Sequence, residues 1–481
     1  MPDTAPPDTA PPDAAPPETA LPRIEPVLAH LDADRDGALT RLFELLRIPS
    51  ISTDPAHDAD CARAAEWLAA DLKSLGFDTR IEPTVGKPLV IAHDLSGPGP
   101  HVLFYGHYDV QPVDPLALWR RDPFDPAVET RADGSGMIVG RGTSDDKGQV
   151  MTFIEACRAF RRAAGTLPCK VTILLEGEEE SGGKGLKAFL ESAPGELKAE
   201  IALVSDTTQW DRETPAITTQ LRGTVTEEVT VRAADRDLHS GFYGSAAANP
   251  IRVLTRALAG LHDDSGRVTL TGFYDAVPEL SDALRADWDN LGFDAAAFLG
   301  EVGLSVPAGE TDRTVLEQIW ARPTAEVNGI SGGYTGAGFK TVIPAEATAK
   351  VSFRLVGQQD PDAVRESFRA HIRAALPADC EARFTSHGAA GATVMPTAAP
   401  PFAAARRALS EEWGREAVFI GAGGSIPVVG AFKAKLGLDT LLIGFGLEDD
   451  RIHSPNEKLE LTSFAKGARS WVRVLDALAQ G

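Results

Sequence analysis

The chain has 481 residues, enough for two or three domains and a large core. Its hydrophobic share of 43% and charged share of 24% are those of an ordinary soluble globular protein. The 69 Asp and Glu outweigh the 47 Lys and Arg to give a net charge of -22, which argues against nucleic acid or an anionic membrane surface as a partner.

Residues 1–22 repeat Pro, Ala, Asp and Thr with almost nothing to bury, and a disordered tail is expected there. This start has neither the basic nor the apolar part of a secretory signal, and no run is long enough to span a bilayer. Cys61, Cys157, Cys169 and Cys380 show no paired spacing, so reduced thiols and a cytoplasmic location are expected. Leu39, Leu42, Phe43 and Leu46 have helical spacing, and Pro49 ends that helix. Asp32-Ala33-Asp34-Arg35-Asp36-Gly37 imitates the opening of a calcium loop, but the closing Glu would have to fall at Phe43, so it is read as a helix start.

From about 100 to 210, strand-like runs at 102–106, 171–176 and 201–205 alternate with helices near 149–162 and 184–192. That order is the signature of a parallel sheet. After 211 the texture changes to the alternation Val225, Glu227, Val229, Val231, helices near 249–262 and 277–289, a strand at 350–356 and a helix at 362–375. An inserted α+β domain over 211–395 is the reading. The α/β pattern then resumes with a helix at 401–413, a strand at 439–446 and a helix near 463–479. Residues 23–210 and 396–481 therefore form one catalytic domain.

His107, Asp145, Glu180, Asp206 and His453 each stand at or just past the end of an apolar run or in a glycine-rich turn. In an open parallel sheet the strand ends share one edge where ligands collect, so positions far apart in sequence can meet there. Imidazoles and carboxylates without Cys suit zinc or a similar divalent ion. His107-Tyr108-Asp109 offers a carboxylate to the second ring nitrogen, although alone it also describes a strand-end His beside an Asp. Asp145-Asp146-Lys147-Gly148 reads equally as a bridging carboxylate or as a helix cap. Glu176-Gly177-Glu178-Glu179-Glu180-Ser181-Gly182 crowds like charges that repel unless cations or protons neutralise them. Neither a G-x-S-x-G elbow nor a P-loop occurs.

Taken together, these segments resemble the zinc-dependent aminoacylase and carnosinase metallopeptidases, most of all their cytosolic nonspecific dipeptidase branch. The likeness runs from Leu45-Leu46-Arg47-Ile48-Pro49-Ser50 to His453-Ser454-Pro455-Asn456-Glu457-Lys458. It includes Gly106 to Pro112, Gly140 to Gly148, Val204-Ser205-Asp206, Asp237-Leu238-His239-Ser240-Gly241, Lys340 to Pro344 and Gly423-Gly424-Ser425-Ile426-Pro427. The resemblance implies an α/β catalytic domain with a mostly parallel sheet and a di-zinc site, plus an inserted α+β lid and dimerisation domain. It implies that His107 and Asp206 hold one zinc, that Glu180 and His453 hold the other, and that Asp145 bridges them, with Mn2+ or Co2+ as possible substitutes.

By the same resemblance Glu179 is the general base, Asp109 orients His107, and Glu178 takes no part. His239 is a lid histidine that reaches the other subunit's site in a homodimer. Arg354, with Thr341 and Ser425, grips the substrate carboxylate. The implied reaction is dipeptide hydrolysis by a water bridging two zincs roughly 3.5–4 Å apart. The alternatives are a di-zinc deacylase of N-acyl amino acids and a metal-binding scaffold without activity. Asp rather than Glu at 206 resembles the family's peptidases for free-amine substrates, and Glu179 beside every ligand speaks against a scaffold.

Overall fold

The computed structural model describes residues 23–424 and 426–481; the expected tail over 1–22, and Ser425, lie outside the described residues. A central sheet organises most of the chain. Its middle strands, Lys170–Glu176, His101–His107, Ile201–Val204 and Thr440–Leu442, are parallel neighbours in that order. Both flanks turn antiparallel. Asp78–Glu82 and Leu89–Asp94 close one side, and Ala216–Leu221 lies beside Thr440–Leu442 on the other.

The middle strands are apolar on both faces because helices cover both. Lys147–Ala163 is buried along most of its length, against the helices Ile24–Ala33 and Leu461–Gln480. Phe104 of the sheet stacks on Phe153 of that helix with centroids 3.9 Å apart, and Trp471 meets both edge-on. The helix Arg35–Leu46 is fastened by Arg41 to buried Glu155 at 2.7 Å. Asp34 of the calcium-loop imitation also pairs with Arg41, and Asp32 with Arg469, so those acids serve helix packing.

A second sheet is wholly antiparallel, in the order Thr324–Gly332, Glu346–Leu355, Gly223–Arg232, Glu381–Ala390. One face carries the alternating Val225, Val229 and Val231, buried under the helices Pro250–Ala259 and Pro361–Ala374. The expected limits of the insert, 211 and 395, fall outside this sheet. Ala216–Leu221 and Thr393–Val394 pair within the central sheet instead, because Thr218 and Thr219 are buried there against Val418–Ala422. Trp288 and Trp320, from the stretch between the two sheets' strands, pack beside Ala216 and Ile420 and join the two units.

Candidate metal centre

The parallel strands deliver their carboxyl ends to one edge, and the candidate ligands gather on the loops that leave it. His107 is the last residue of its strand and is buried. Its Nδ1 lies 3.1 Å from the Asp109 carbonyl and 3.3 Å from the Asp109 carboxylate. Both partners are acceptors, so Nδ1 carries a proton, and Nε2 is the nitrogen turned toward the other candidate ligands. That Nε2 lies 3.0 Å from Asp145 Oδ1 and 3.9 Å from Asp206 Oδ2.

The other oxygen of Asp145 lies 2.9 Å from His453 Nε2, which is also 3.2 Å from Glu180 Oε1. Two triads with the spacing of metal ligands result, His107, Asp145 and Asp206, and Asp145, Glu180 and His453, joined through one carboxylate. Donors of imidazole nitrogen and carboxylate oxygen, three to each centre, fit a pair of divalent ions such as zinc. His453 sits at φ +62 and is 52% exposed, a left-handed backbone that turns its ring back toward Asp145.

The same electrostatics appear in the acid–base equilibria. Burial alone would lower the His107 imidazole, but its bonds to Asp109 and Asp145 outweigh it and hold it well above its ordinary value. Asp145 and then Glu180 raise His453 to about 10. Burial and the neighbouring Asp145 charge push Asp206 up to about 7. Asp145 goes the other way, because its bonds to the two histidines overcome burial. Protons therefore occupy the places where cations would sit.

Glu179 lies in the short turn Glu179–Ser181 after the strand Lys170–Glu176, and burial raises its carboxyl above the usual range. Asp109 does more than orient His107. Its carboxylate also accepts the backbone N–H groups of Glu179 and Glu180 at 3.2 and 3.1 Å, so one side chain sets both the imidazole and the acidic turn. Glu178 points away, accepting from the backbone of Lys87 and Gly185.

Two positioning residues escaped the sequence reading. Gln111 donates to Glu180 Oε2 at 2.7 Å, which leaves Oε1 toward His453. Fully buried Glu457 accepts from the backbone of Gly142, Ser144 and Asp145 and from Arg141, and so fixes the loop that carries Asp145. His453 marks this segment in the sequence, but no local pattern gives Glu457 its positioning role. It arrives because Lys458–Glu460 pairs with Gly136–Val139, just ahead of that loop.

Other expected residues stand apart from the triads. His239 is exposed, in the short strand Leu238–His239 that pairs with Val342–Ile343 beside Thr341. Its Nδ1 accepts from the Gly241 backbone N–H at 3.0 Å, which places the proton on Nε2. Arg354 lies in the second sheet opposite Thr224 and Thr324, and has no ion pair among the described residues. Asp449, Asp450 and Glu460 form a further acidic group, but Lys458 already fills it, at 2.6 Å from Asp449 and 2.9 Å from Glu460.

A parallel-centred sheet with two triads sharing one carboxylate at its edge defines a dinuclear metallohydrolase. The chain belongs to peptidase family M20/M25/M40, whose model matches residues 103–477. It is 29% identical to the Cys-Gly metallodipeptidase DUG1 of Candida albicans over 93% of this chain and 96% of that one. It is 28% identical to the Beta-Ala-His dipeptidase of Homo sapiens, over 95% and 93% of the two chains. Among solved structures, the M20 family metallo-carboxypeptidase Sso-CP2 from Sulfolobus solfataricus superposes with a TM-score of 0.79 at 30% identity, covering 92% of this chain and 99% of that one. The protein is therefore an enzyme of the metallopeptidase class.

Proposed function

We propose that the protein is a cytoplasmic dipeptidase that works with two divalent ions, zinc in the first place and manganese or cobalt as substitutes. The observation that carries this is Asp145, whose two oxygens face one histidine each, 3.0 Å from His107 and 2.9 Å from His453. His107 and Asp206 would hold one ion, Glu180 and His453 the other, with Asp145 between them. The ions supply Lewis acidity to the scissile carbonyl.

The chain's own groups do the rest. Glu179, buried and with a raised carboxyl pKa, takes a proton from the attacking water and delivers it to the leaving nitrogen. Asp109 keeps His107 in one tautomer and holds the Glu179 turn. His239, with its proton on Nε2, is set to donate to the developing oxyanion, and since its contacts are to Gly241 and Phe242 and it belongs to neither triad it would serve a second copy. Phe242 and Phe339 are 82% and 91% exposed, and apolar surface of that kind near His239 supports a homodimer through the inserted unit, which we place between Arg222 and Gly391. Arg354, Thr341 and Ser425 would hold the terminal carboxylate of the substrate.

The test is a hydrolysis panel of dipeptides, N-acetyl amino acids and longer peptides with metal-loaded protein and Glu179→Gln. Dipeptide turnover that falls by roughly 10²–10⁴-fold in the variant is expected. Turnover confined to N-acyl substrates would make the protein a deacylase, and stepwise trimming of longer peptides from the carboxyl end would make it a carboxypeptidase.

A further inference from the structure

Arg222 stands between Ala216–Leu221 of the central sheet and Gly223–Arg232 of the second sheet. Its Nε donates to the Gly423 carbonyl at 3.1 Å and its Nη1 to the Gln318 carbonyl at 3.3 Å. Among the described residues no carboxylate pairs with it, and Nη2 has no hydrogen-bond partner yet keeps accessible surface. A Cβ on Gly423 would stand 2.9 Å from Nη2, so glycine at that position leaves this nitrogen open.

A second cation lies close by. Arg354 is opposite Thr224 in the register, so Arg222, two residues before Thr224, falls on the same face of the sheet, the one turned away from the core around Val225 and Val229. Burial and then the Arg354 charge lower the Arg222 guanidinium to about 10, against the opposing pull of Glu326. Glu326, opposite Ser352, is exposed and forms an ion pair with neither arginine. Two guanidiniums held near each other without a carboxylate repel, and a ligand with two carboxylates would relieve both.

Arg222 also lines an open cleft of about 600 Å³, together with Ile426, Pro427 and Gly430 from the run that follows the Gly423-Gly424 turn. Among the described residues no acidic side chain lines this cleft, and its other cation, Lys433, is taken by Asp439 at 2.7 Å. Pro427 and Ala431 line both the cleft and a smaller cavity that Glu179 borders, which sets the cleft beside the proposed base. Given the dipeptidase reading, on which this rests, we propose that Arg222 is a specificity-determining residue that pairs with the side-chain carboxylate of a carboxyl-terminal Glu or Asp, while Arg354 holds the terminal carboxylate. Both carboxylates of such a residue spring from one short stem, which suits two neighbouring guanidiniums. Gln or Asn offers Nη2 an acceptor of the same shape but leaves the second positive charge unrelieved.

The experiment compares Gly-Glu with Gly-Gln, and Gly-Asp with Gly-Asn, in the metal-loaded enzyme and in Arg222→Met. In the unaltered enzyme kcat/KM for the better acidic dipeptide should exceed that for its amide by roughly tenfold or more. Arg222→Met should bring that ratio to parity, mainly by loss on the acidic substrate. If Arg222 only ties Gly423 in place, the variant lowers both substrates alike and the ratio stands, which overturns the proposal. A second variant, Glu326→Gln, removes the opposing charge, leaves both arginines and should raise the ratio; it decides the matter alone if Arg222→Met does not fold, and an unchanged ratio then overturns the proposal. Turnover in which neither acidic dipeptide surpasses its amide overturns the acidic subsite while leaving the dipeptidase reading intact. Failure of the unaltered enzyme on every dipeptide overturns that reading and the subsite with it.

Discussion

His453 is held near 10 by Asp145 and Glu180, so in the ion-free protein at neutral pH its ring carries a proton that must leave before Nε2 can bind a metal. His107 is raised as well, chiefly by Asp109 and Asp145 against the effect of burial. Metal binding is thus expected to release protons, and apparent affinity to strengthen as pH rises toward 10. Titration calorimetry in buffers of different ionisation enthalpy reads the release directly. Binding without proton release, or an affinity that weakens with rising pH, would contradict this picture of the triads.

The same scale holds the residues that only position others. Removing the Glu457 carboxylate leaves the Asp145 loop without its three backbone acceptor contacts. Glu457→Ala should weaken metal binding by roughly 10–100-fold, the range for losing an outer partner of a ligand. Affinity equal to that of the unaltered protein, in a variant that remains folded, would show that the loop holds its shape unaided.

Elements carry their own pH signature, away from the site. His93 and His101, on the two strands that flank Lys170–Glu176 in the central sheet, share the Thr172 hydroxyl at 2.9 and 2.8 Å. Burial, more than any charge nearby, holds both imidazoles below the ordinary value. The unfolded chain regains a value of about 6.5 and so binds more protons below that pH, which means that stability falls as pH drops through about 6.5 toward the lower folded values. Denaturant melts of His93→Gln between about pH 7 and pH 5 should give a shallower loss than the unaltered protein; an identical slope would remove the pair from the acid response.

At this scale the sequence was legible where an apolar run ends on a chemically distinctive residue. His101–His107 and Ile201–Val204 are of this kind, because strands buried on both faces are apolar throughout and their ends are marked by His107 and Asp206. Ala216–Leu221 was not legible, since buried Thr218 and Thr219 give it the polar texture of the insert and only its pairing with Val418–Ala422 assigns it to the central sheet. The strands Asp78–Glu82 and Leu89–Asp94 pair with each other locally, and only the pairing of Leu89–Asp94 with the distant Lys170–Glu176 joins them to the central sheet. The residues that the two triads bring together were readable one by one. The positioning roles of Glu457 and Gln111 were not, because neither a buried carboxylate that accepts backbone N–H groups nor an amide that donates to another side chain has a motif of its own.

For the whole molecule the decisive question is whether two chains complete each site. With His239 serving a second copy, a mixture of Glu179→Gln and His239→Ala chains should regain activity on subunit exchange, because each mixed dimer holds one site with both groups intact. Random pairing of equal amounts would restore up to about a quarter of the unaltered activity. A mixture no more active than its two components would mean that His239 acts within its own chain or not at all.

The central claim is that Asp145 joins two metal positions at the carboxyl edge of the parallel strands. Anomalous diffraction at the zinc edge from crystals of the zinc-loaded protein tests it most directly. Two peaks are expected, one against His107 and Asp206 and the other against Glu180 and His453, each within coordination distance of an Asp145 oxygen. A single peak, or peaks that Asp145 does not touch, would contradict the account.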